Sequence, residues 1–192
     1  MPVLYLVIPC YNEEAVLPET VKQLTEKLRA MQADGLIGPA SRMLLVDDGS
    51  KDKTWTLIER FSAENTFVSG LKLAHNRGHQ NALMAGLMTA KDKADCVISL
   101  DADLQDDVGV LDDFMVKFNE GCDVVYGVRN KRETDTFFKR TTALGFYRFM
   151  KALGVDVVYN HADYRLMSRR ALEALSEYRE VNLFLRGIVP LI

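Results

Sequence analysis

Two carboxylates, Asp101 and Asp103, flank Ala102 directly after the apolar run Cys96-Val97-Ile98-Ser99-Leu100. Alternate residues of an extended chain project to the same side, so both acids can face one ligand while Ala102 turns aside. Such hard oxygen donors suit Mg²⁺ or Mn²⁺, which is commonly held by one or two carboxylates together with substrate phosphates. The stretch Asp101-Ala102-Asp103-Leu104-Gln105 therefore outlines a metal and diphosphate site. A solvated acidic turn has the same composition, so its surroundings have to decide between the two.

Three further polar motifs end apolar runs in the same way. The first run closes on Pro9-Cys10-Tyr11-Asn12-Glu13, the second on Asp47-Asp48-Gly49-Ser50-Lys51-Asp52, and the third on His75-Asn76-Arg77-Gly78-His79-Gln80. Each alone reads as a turn with a helix cap. Their repetition matters, because ligands of an open parallel sheet collect outside the carboxyl ends of its strands.

The elements that must position these motifs alternate between β-rich and helical patterns. Strands are predicted over 3–8, 43–46, 67–73, 96–100 and 123–128. Helices are predicted over 14–31, 53–61, 80–90 and 110–119, the first on the spacing of Val16, Leu17, Val21, Leu24 and Leu28. Ser50 or Asp52 is the expected cap of the second helix, and Gly121 ends the fourth. Met84 and Met88 read as core filler. The alternation predicts an α/β fold with a mostly parallel central sheet and helices on both faces. No repeat, low-complexity tract or linker divides residues 1–192, which read as a single domain.

Composition removes several function classes. With 24 Lys and Arg against 27 Asp and Glu, the net charge of -3 supplies no global basic field, so no nucleic-acid partner is expected. Cys10, Cys96 and Cys122 lie in or beside apolar runs and form no disulfide framework, which fits a reducing compartment. Asn12-Glu13-Glu14 interrupts the N-terminal apolar stretch, so no secretory signal is read, and no run approaches the ~20 apolar residues of a membrane span. After Arg129 a basic stretch with Lys131, Arg132, Lys139 and Arg140 runs into the aromatic segment Phe146-Tyr147-Arg148-Phe149. The last residues, Phe184 to Ile192, are apolar, and a truncation is expected there.

Taken together, Val7-Ile8-Pro9-Cys10-Tyr11-Asn12-Glu13, Val46-Asp47-Asp48-Gly49-Ser50 and Asp101-Ala102-Asp103-Leu104-Gln105-Asp106 resemble family 2 glycosyltransferases of the GT-A fold. Gly127-Val128-Arg129, Phe146-Tyr147-Arg148 and Asp163-Tyr164-Arg165-Leu166-Met167-Ser168 are similar to the branch that moves a sugar from a nucleotide onto a polyprenyl phosphate. The resemblance runs from Val3 to about Val189.

This resemblance implies a nucleotide-sugar donor, with UDP-glucose favoured, and a polyprenyl phosphate acceptor. It assigns Pro9, Tyr11, Glu13 and Asp48 to the nucleoside, and Asp101, Asp103 and Gln105 to a bound Mg²⁺ or Mn²⁺. Carboxylates can accept hydrogen bonds from a base N–H or a ribose hydroxyl, and a Tyr ring can cover a base face. Arg129, with Lys139 or Arg140, is expected to grip the acceptor phosphate, because guanidinium forks match phosphate oxygens. Asp163 falls where soluble relatives keep a base and is expected to orient donor sugar or acceptor. The same resemblance implies a catalytic domain that precedes membrane helices and docks on the cytoplasmic face of a membrane, possible as a homo-oligomer.

Two departures stand out: Asp107-Val108 replaces a frequent proline pair, and His75-Asn76-Arg77-Gly78 replaces a frequent Arg-Asn-Phe-Gly. His75, Arg77 and His79 are therefore left outside the expected site, and His79 reads as a structural histidine. A soluble family 2 enzyme acting on a glycan is the nearest alternative. A phospho-receiver, from Asp47-Asp48 and Asp101, and a non-catalytic nucleotide-binding module are alternatives of another class.

Overall fold

A computed structural model describes residues 1–128, 161–178, 185–189 and 192. Its centre is β1 (Leu4–Cys10), buried along its whole length between β2 (Arg42–Asp47) and β4 (Cys96–Ser99). The sheet order is β3-β2-β1-β4-β6-β5, with β3 (Val68–Lys72), β5 (Val124–Val128) and β6 (His161–Ser168). Strands β3, β2, β1 and β4 run parallel; β6 is antiparallel to both β4 and β5. The expected mostly parallel sheet is thus present, with one antiparallel strand in its second half. That strand places Arg165 opposite Ser99 and Leu166 opposite Ile98, which carries Asp163 to the sheet end where Asp101 lies.

Each face of the sheet has its own core, because successive strand residues point to opposite sides. Leu4, Leu6, Ile8 and Cys10 of β1 pack with Leu17, Val21, Leu24, Leu28 and Met31 of α1 (Leu17–Ala33). Helices α2 (Thr54–Glu64) and α4 (Leu111–Asn119) complete that layer with Ile58, Leu111, Phe114 and Met115. On the other face Tyr5 and Val7 meet Ala82, Leu83, Leu87 and Ala90 of α3 (His79–Lys91). Helices α5 (Arg169–Ser176) and α6 (Leu185–Ile188) join there, and Met84 and Met88 pack against the cluster as the filler expected of them. Each fully buried Leu contributes roughly 2 kcal/mol, so β1 is fixed from both sides and its carboxyl end is a rigid platform.

Local endings differ from the sequence expectation. Helix α1 starts at Leu17, three residues later than predicted, with Pro18 in its first turn, where a missing N–H costs no helical hydrogen bond. Lys53 precedes α2 without a side-chain cap, and the expected cap Asp52 accepts the N–H of Thr54, the first helical residue, through Oδ1 at 3.0 Å. Both candidate caps also serve the neighbouring loop. Ser50 Oγ accepts the Asn12 N–H at 3.0 Å and Asp52 Oδ2 accepts the Glu14 N–H at 3.1 Å. Cys10, Cys96 and Cys122 are free thiols as expected, but Cys122 is exposed rather than buried. Among the described residues no helix is long and apolar enough to cross a membrane.

Candidate active site

The four polar motifs meet at the carboxyl end of the parallel strands around a cleft of ≈ 240 Å³. Pro9, Tyr11, Glu13, Asp48, Asp101 and Asp103 all line it, so six sequence-predicted residues come together. Arg129, Lys139 and Arg140 lie outside the described residues.

The loop after β1 is stitched to the loop after β2. Asn12 adopts a left-handed backbone (φ 57°), which Asn tolerates better than most residues, and its Oδ1 accepts the Lys51 N–H at 2.8 Å. The Glu13 N–H donates to Thr54 Oγ1 at 2.8 Å, and Glu14 Oε2 accepts the Lys53 N–H at 2.9 Å. These bonds leave the Tyr11 ring 41% exposed over the cleft, open for stacking on a base.

Asp48 is 2% exposed, and its two oxygens accept the N–H groups of Arg77 (2.7 Å) and Gly78 (2.9 Å). It therefore pins the loop between β3 and α3 across the cleft floor. Gly49 completes this lock. A Cβ there would stand 2.5 Å from the Asn76 nitrogen, and its φ of +69° already disfavours any side chain.

Asp101 and Asp103 follow β4 as predicted, with Ala102 buried between them. The strand itself ends at Ser99, so a turn, and not an extended chain, brings both acids to the cleft. Thr20 of α1 donates to the Ala102 carbonyl at 2.5 Å, and Leu104 takes a left-handed φ of 51°, reversing the chain just after the acids. Gln105 is turned onto Asp103: its N–H reaches Oδ1 at 3.2 Å and its Nε2 reaches Oδ2 at 2.7 Å. In this arrangement it orients Asp103.

The electrostatics of the cleft are lopsided. Burial pushes the Asp101 carboxyl above its ordinary value; nearby His79 partly offsets this, and Asp163, Asp103 and Asp106 push it further up. Glu13 is raised likewise, by burial and then by Asp103, Asp52 and Asp101. Crowded hard-oxygen donors of one charge fit a divalent cation. Among the described residues no three His, Cys, Asp or Glu side chains converge into a complete protein cage. A carboxylate pair that leaves the remaining positions to phosphate oxygens and water is the arrangement Mg²⁺ accepts. Cys10 also lines the cleft, but burial, with Glu13 and Asp47 nearby, pushes its thiol far up, which removes it as a thiolate nucleophile.

Asp163 of β6 is 8% exposed and flanks the cleft beside Asp101. Its Oδ2 lies 3.4 Å from Gln80 Nε2 and 3.6 Å from His79 Nε2, and its Oδ1 lies 3.7 Å from the wholly buried Arg165 guanidinium. Ser99 Oγ donates to its carbonyl. His79 corrects the sequence reading. Left outside the expected site as a structural histidine, it has a side chain 44% exposed in the cleft, 3.9 Å from Asp101 and 3.6 Å from Asp163. Sequence distance hid it, since 22 and 84 residues separate it from those acids. Its position at the first residue of a helix opening on a strand-end loop was the one available signal.

The mixed sheet, with acidic residues beyond its parallel strand ends lining one cleft, has the GT-A glycosyltransferase fold. The chain belongs to glycosyl transferase family 2, whose profile matches residues 5–176. It is 62% identical over 191 residues to the uncharacterized glycosyltransferase YkoT of Bacillus subtilis, covering 100% of this chain and 57% of that protein. It is 35% identical over 188 residues to the bactoprenol glucosyl transferase of Shigella phage SfV, covering 96% of this chain and 58% of the relative. The chain thus spans little more than half the length of the curated relatives it matches. Among solved structures, the Pyrobaculum calidifontis mannosyltransferase PcManGT in complex with GDP-Man and Mn²⁺ shares the fold, with a TM-score of 0.63 and 19% identity over 97% of this chain and 50% of that one.

Proposed function

We propose that this domain transfers a sugar, with UDP-glucose as favoured donor, onto a polyprenyl phosphate with inversion at the anomeric carbon. The observation that carries the reading is the single cleft in which Tyr11, Glu13 and Asp48 face Asp101 and Asp103. The relatives named bactoprenol glucosyl transferase support the acceptor class. Tyr11 covers the base, Glu13 and Asp48 accept hydrogen bonds from nucleoside N–H or hydroxyl groups, and Pro9 shapes the wall. Asp101, Asp103 and Gln105, whose backbone and side-chain amides also orient Asp103, would hold Mg²⁺ or Mn²⁺ at the diphosphate. When bound, the cation neutralises charge on the departing nucleoside diphosphate.

A polyprenyl phosphate is already anionic near neutral pH, so it attacks without a strong general base once positioned. Its oxygen forms the new bond to the anomeric carbon as the bond to the β-phosphate oxygen breaks, and the electron pair leaves on the diphosphate. Arg129, Lys139 and Arg140 are assigned to the acceptor phosphate. Asp163, which accepts from Gln80 Nε2 and lies at ion-pair distance from His79 and Arg165, is assigned as the hydrogen-bond acceptor for a sugar hydroxyl. Docking at the cytoplasmic membrane face follows from a lipid acceptor.

The test incubates the full-length protein with radiolabelled UDP-glucose, UDP-galactose, UDP-N-acetylglucosamine or GDP-mannose, Mn²⁺ and undecaprenyl phosphate, then extracts with organic solvent. Label entering the organic phase with UDP-glucose supports the reading; label that stays aqueous for every donor removes it.

A further inference from the structure

Among the described residues that line the cleft, His79 is the one side chain able to carry positive charge, in a pocket walled by Glu13, Asp48, Asp101 and Asp103. It does not sit beside the nucleoside-facing acids. It stands between the aspartate assigned to the cation and the aspartate assigned to the sugar, within 3.9 Å of one and 3.6 Å of the other. Its placement is built rather than incidental. Gly78 precedes it with φ 86° and ψ 151°, a conformation that disfavours other residues, and Asp48 holds the Gly78 N–H at 2.9 Å. The next residue, Gln80, donates to the same Asp163 oxygen at 3.4 Å. Helix α3 therefore brings an amide donor, Gln80, and an imidazole at ion-pair distance, His79, to one carboxylate oxygen, while the buried Arg165 backs the other oxygen at 3.7 Å.

We propose that His79 is a positioning residue: with Gln80 it fixes the Asp163 carboxylate in the orientation that receives a hydroxyl of the donor sugar, so it governs recognition of the sugar and not of the nucleotide. This rests on the reading of the cleft as a sugar-nucleotide site, and not on the identity of the acceptor. A carboxylate between Arg165 and an imidazole has little freedom to rotate, and a preorganised acceptor loses less on binding than a mobile one. Removing the imidazole frees Asp163 and leaves the nucleoside contacts of Tyr11, Glu13 and Asp48 in place.

The experiment is calorimetric titration of the full-length protein, in Mn²⁺, with UDP and with UDP-glucose, for wild type, His79→Ala, Asp163→Asn and the double variant. Thermal melts establish that each is folded. UDP affinity is expected to stay within about twofold throughout, as no contact to the nucleoside changes. The extra affinity of UDP-glucose over UDP is expected to fall about tenfold in each single variant, the loss of a charge-assisted hydrogen bond. The double variant is expected to lose no more than Asp163→Asn alone, because His79 acts through that residue. His79→Gln, which restores a donor, should recover part of the loss. Three results would overturn the proposal: a fall in UDP affinity equal to that for UDP-glucose, losses that add in the double variant, or no sugar-dependent increment in the wild type. Normal titrations with no label reaching undecaprenyl phosphate would defeat the proposed acceptor while leaving the role of His79 standing.

Discussion

Asp48 and Asp101 are the same residue type just beyond the ends of parallel strands on one sheet edge, yet their carboxylates sit in different surroundings. Asp48 is 2% exposed and already satisfied by the N–H groups of Arg77 and Gly78. Asp101 is 43% exposed on its side chain, crowded by Asp163, Asp103 and Asp106, and held above its ordinary protonation range. Both line the cleft, but the Asp48 oxygens already accept backbone N–H groups and can offer a ligand only their remaining lone pairs, whereas Asp101 is crowded by other carboxylates. Backbone donors thus fix one acid in place while the other stays crowded by like charge.

Breaking the contrast on the crowded side gives the largest effect. Asp101→Asn is expected to lower transfer by about 10³-fold or more, on the scale of losing one electrostatic anchor for the departing charge. Its melting temperature should hold or rise, since a crowded carboxylate is relieved. Rate assays paired with melts check both halves. On the other side, Asp48→Asn turns an amide NH₂ toward backbone N–H groups and should cost about 2 kcal/mol, lowering the melting temperature by about 4–8 °C. Equal melting temperatures for these two variants would erase the distinction.

A finer cut is Thr20→Val, which deletes the hydroxyl that holds the Ala102 carbonyl at 2.5 Å with little change of shape. About 1 kcal/mol of stability should go, together with several-fold in Mn²⁺ affinity as the acidic loop loosens; denaturant melts and metal titration read the two losses. The smallest effect is in pH. The raised Asp101 and Glu13 bind protons in the folded state that the unfolded chain has already released. Without added metal, the stability contributed by these two groups should therefore be fully present below the ordinary carboxyl range and be lost as pH rises from that range through the raised values. Mn²⁺ should stabilise most above that window. Melts across acidic pH with and without Mn²⁺ would show the slope, and Asp101→Asn should flatten it.

Much of the first half of the fold was legible because β1, β2 and β4 are unbroken apolar runs and α1 keeps a regular apolar stripe. Strand β6 was not, since a wholly buried Arg165 interrupts its apolar pattern. Likewise Pro9, Tyr11, Glu13, Asp48, Asp101 and Asp103 stood at strand ends where a parallel sheet gathers ligands. His79 escaped, as did the service of Ser50 and Asp52 to the Tyr11–Glu14 loop, because contacts between residues 22 to 84 positions apart leave no periodic trace. The distinct surroundings of Asp48 and Asp101 were equally hidden: nothing in Asp-Asp or Asp-x-Asp tells which acid a backbone N–H will reach.

The most direct measurement of the central claim is UDP binding with and without Mn²⁺ to wild type and to Asp101→Asn/Asp103→Asn. Metal-dependent tightening by at least about tenfold in the wild type, absent from a double variant that still melts cooperatively, is the predicted result. Nucleotide affinity that ignores both the cation and the loss of the two aspartates would contradict the account.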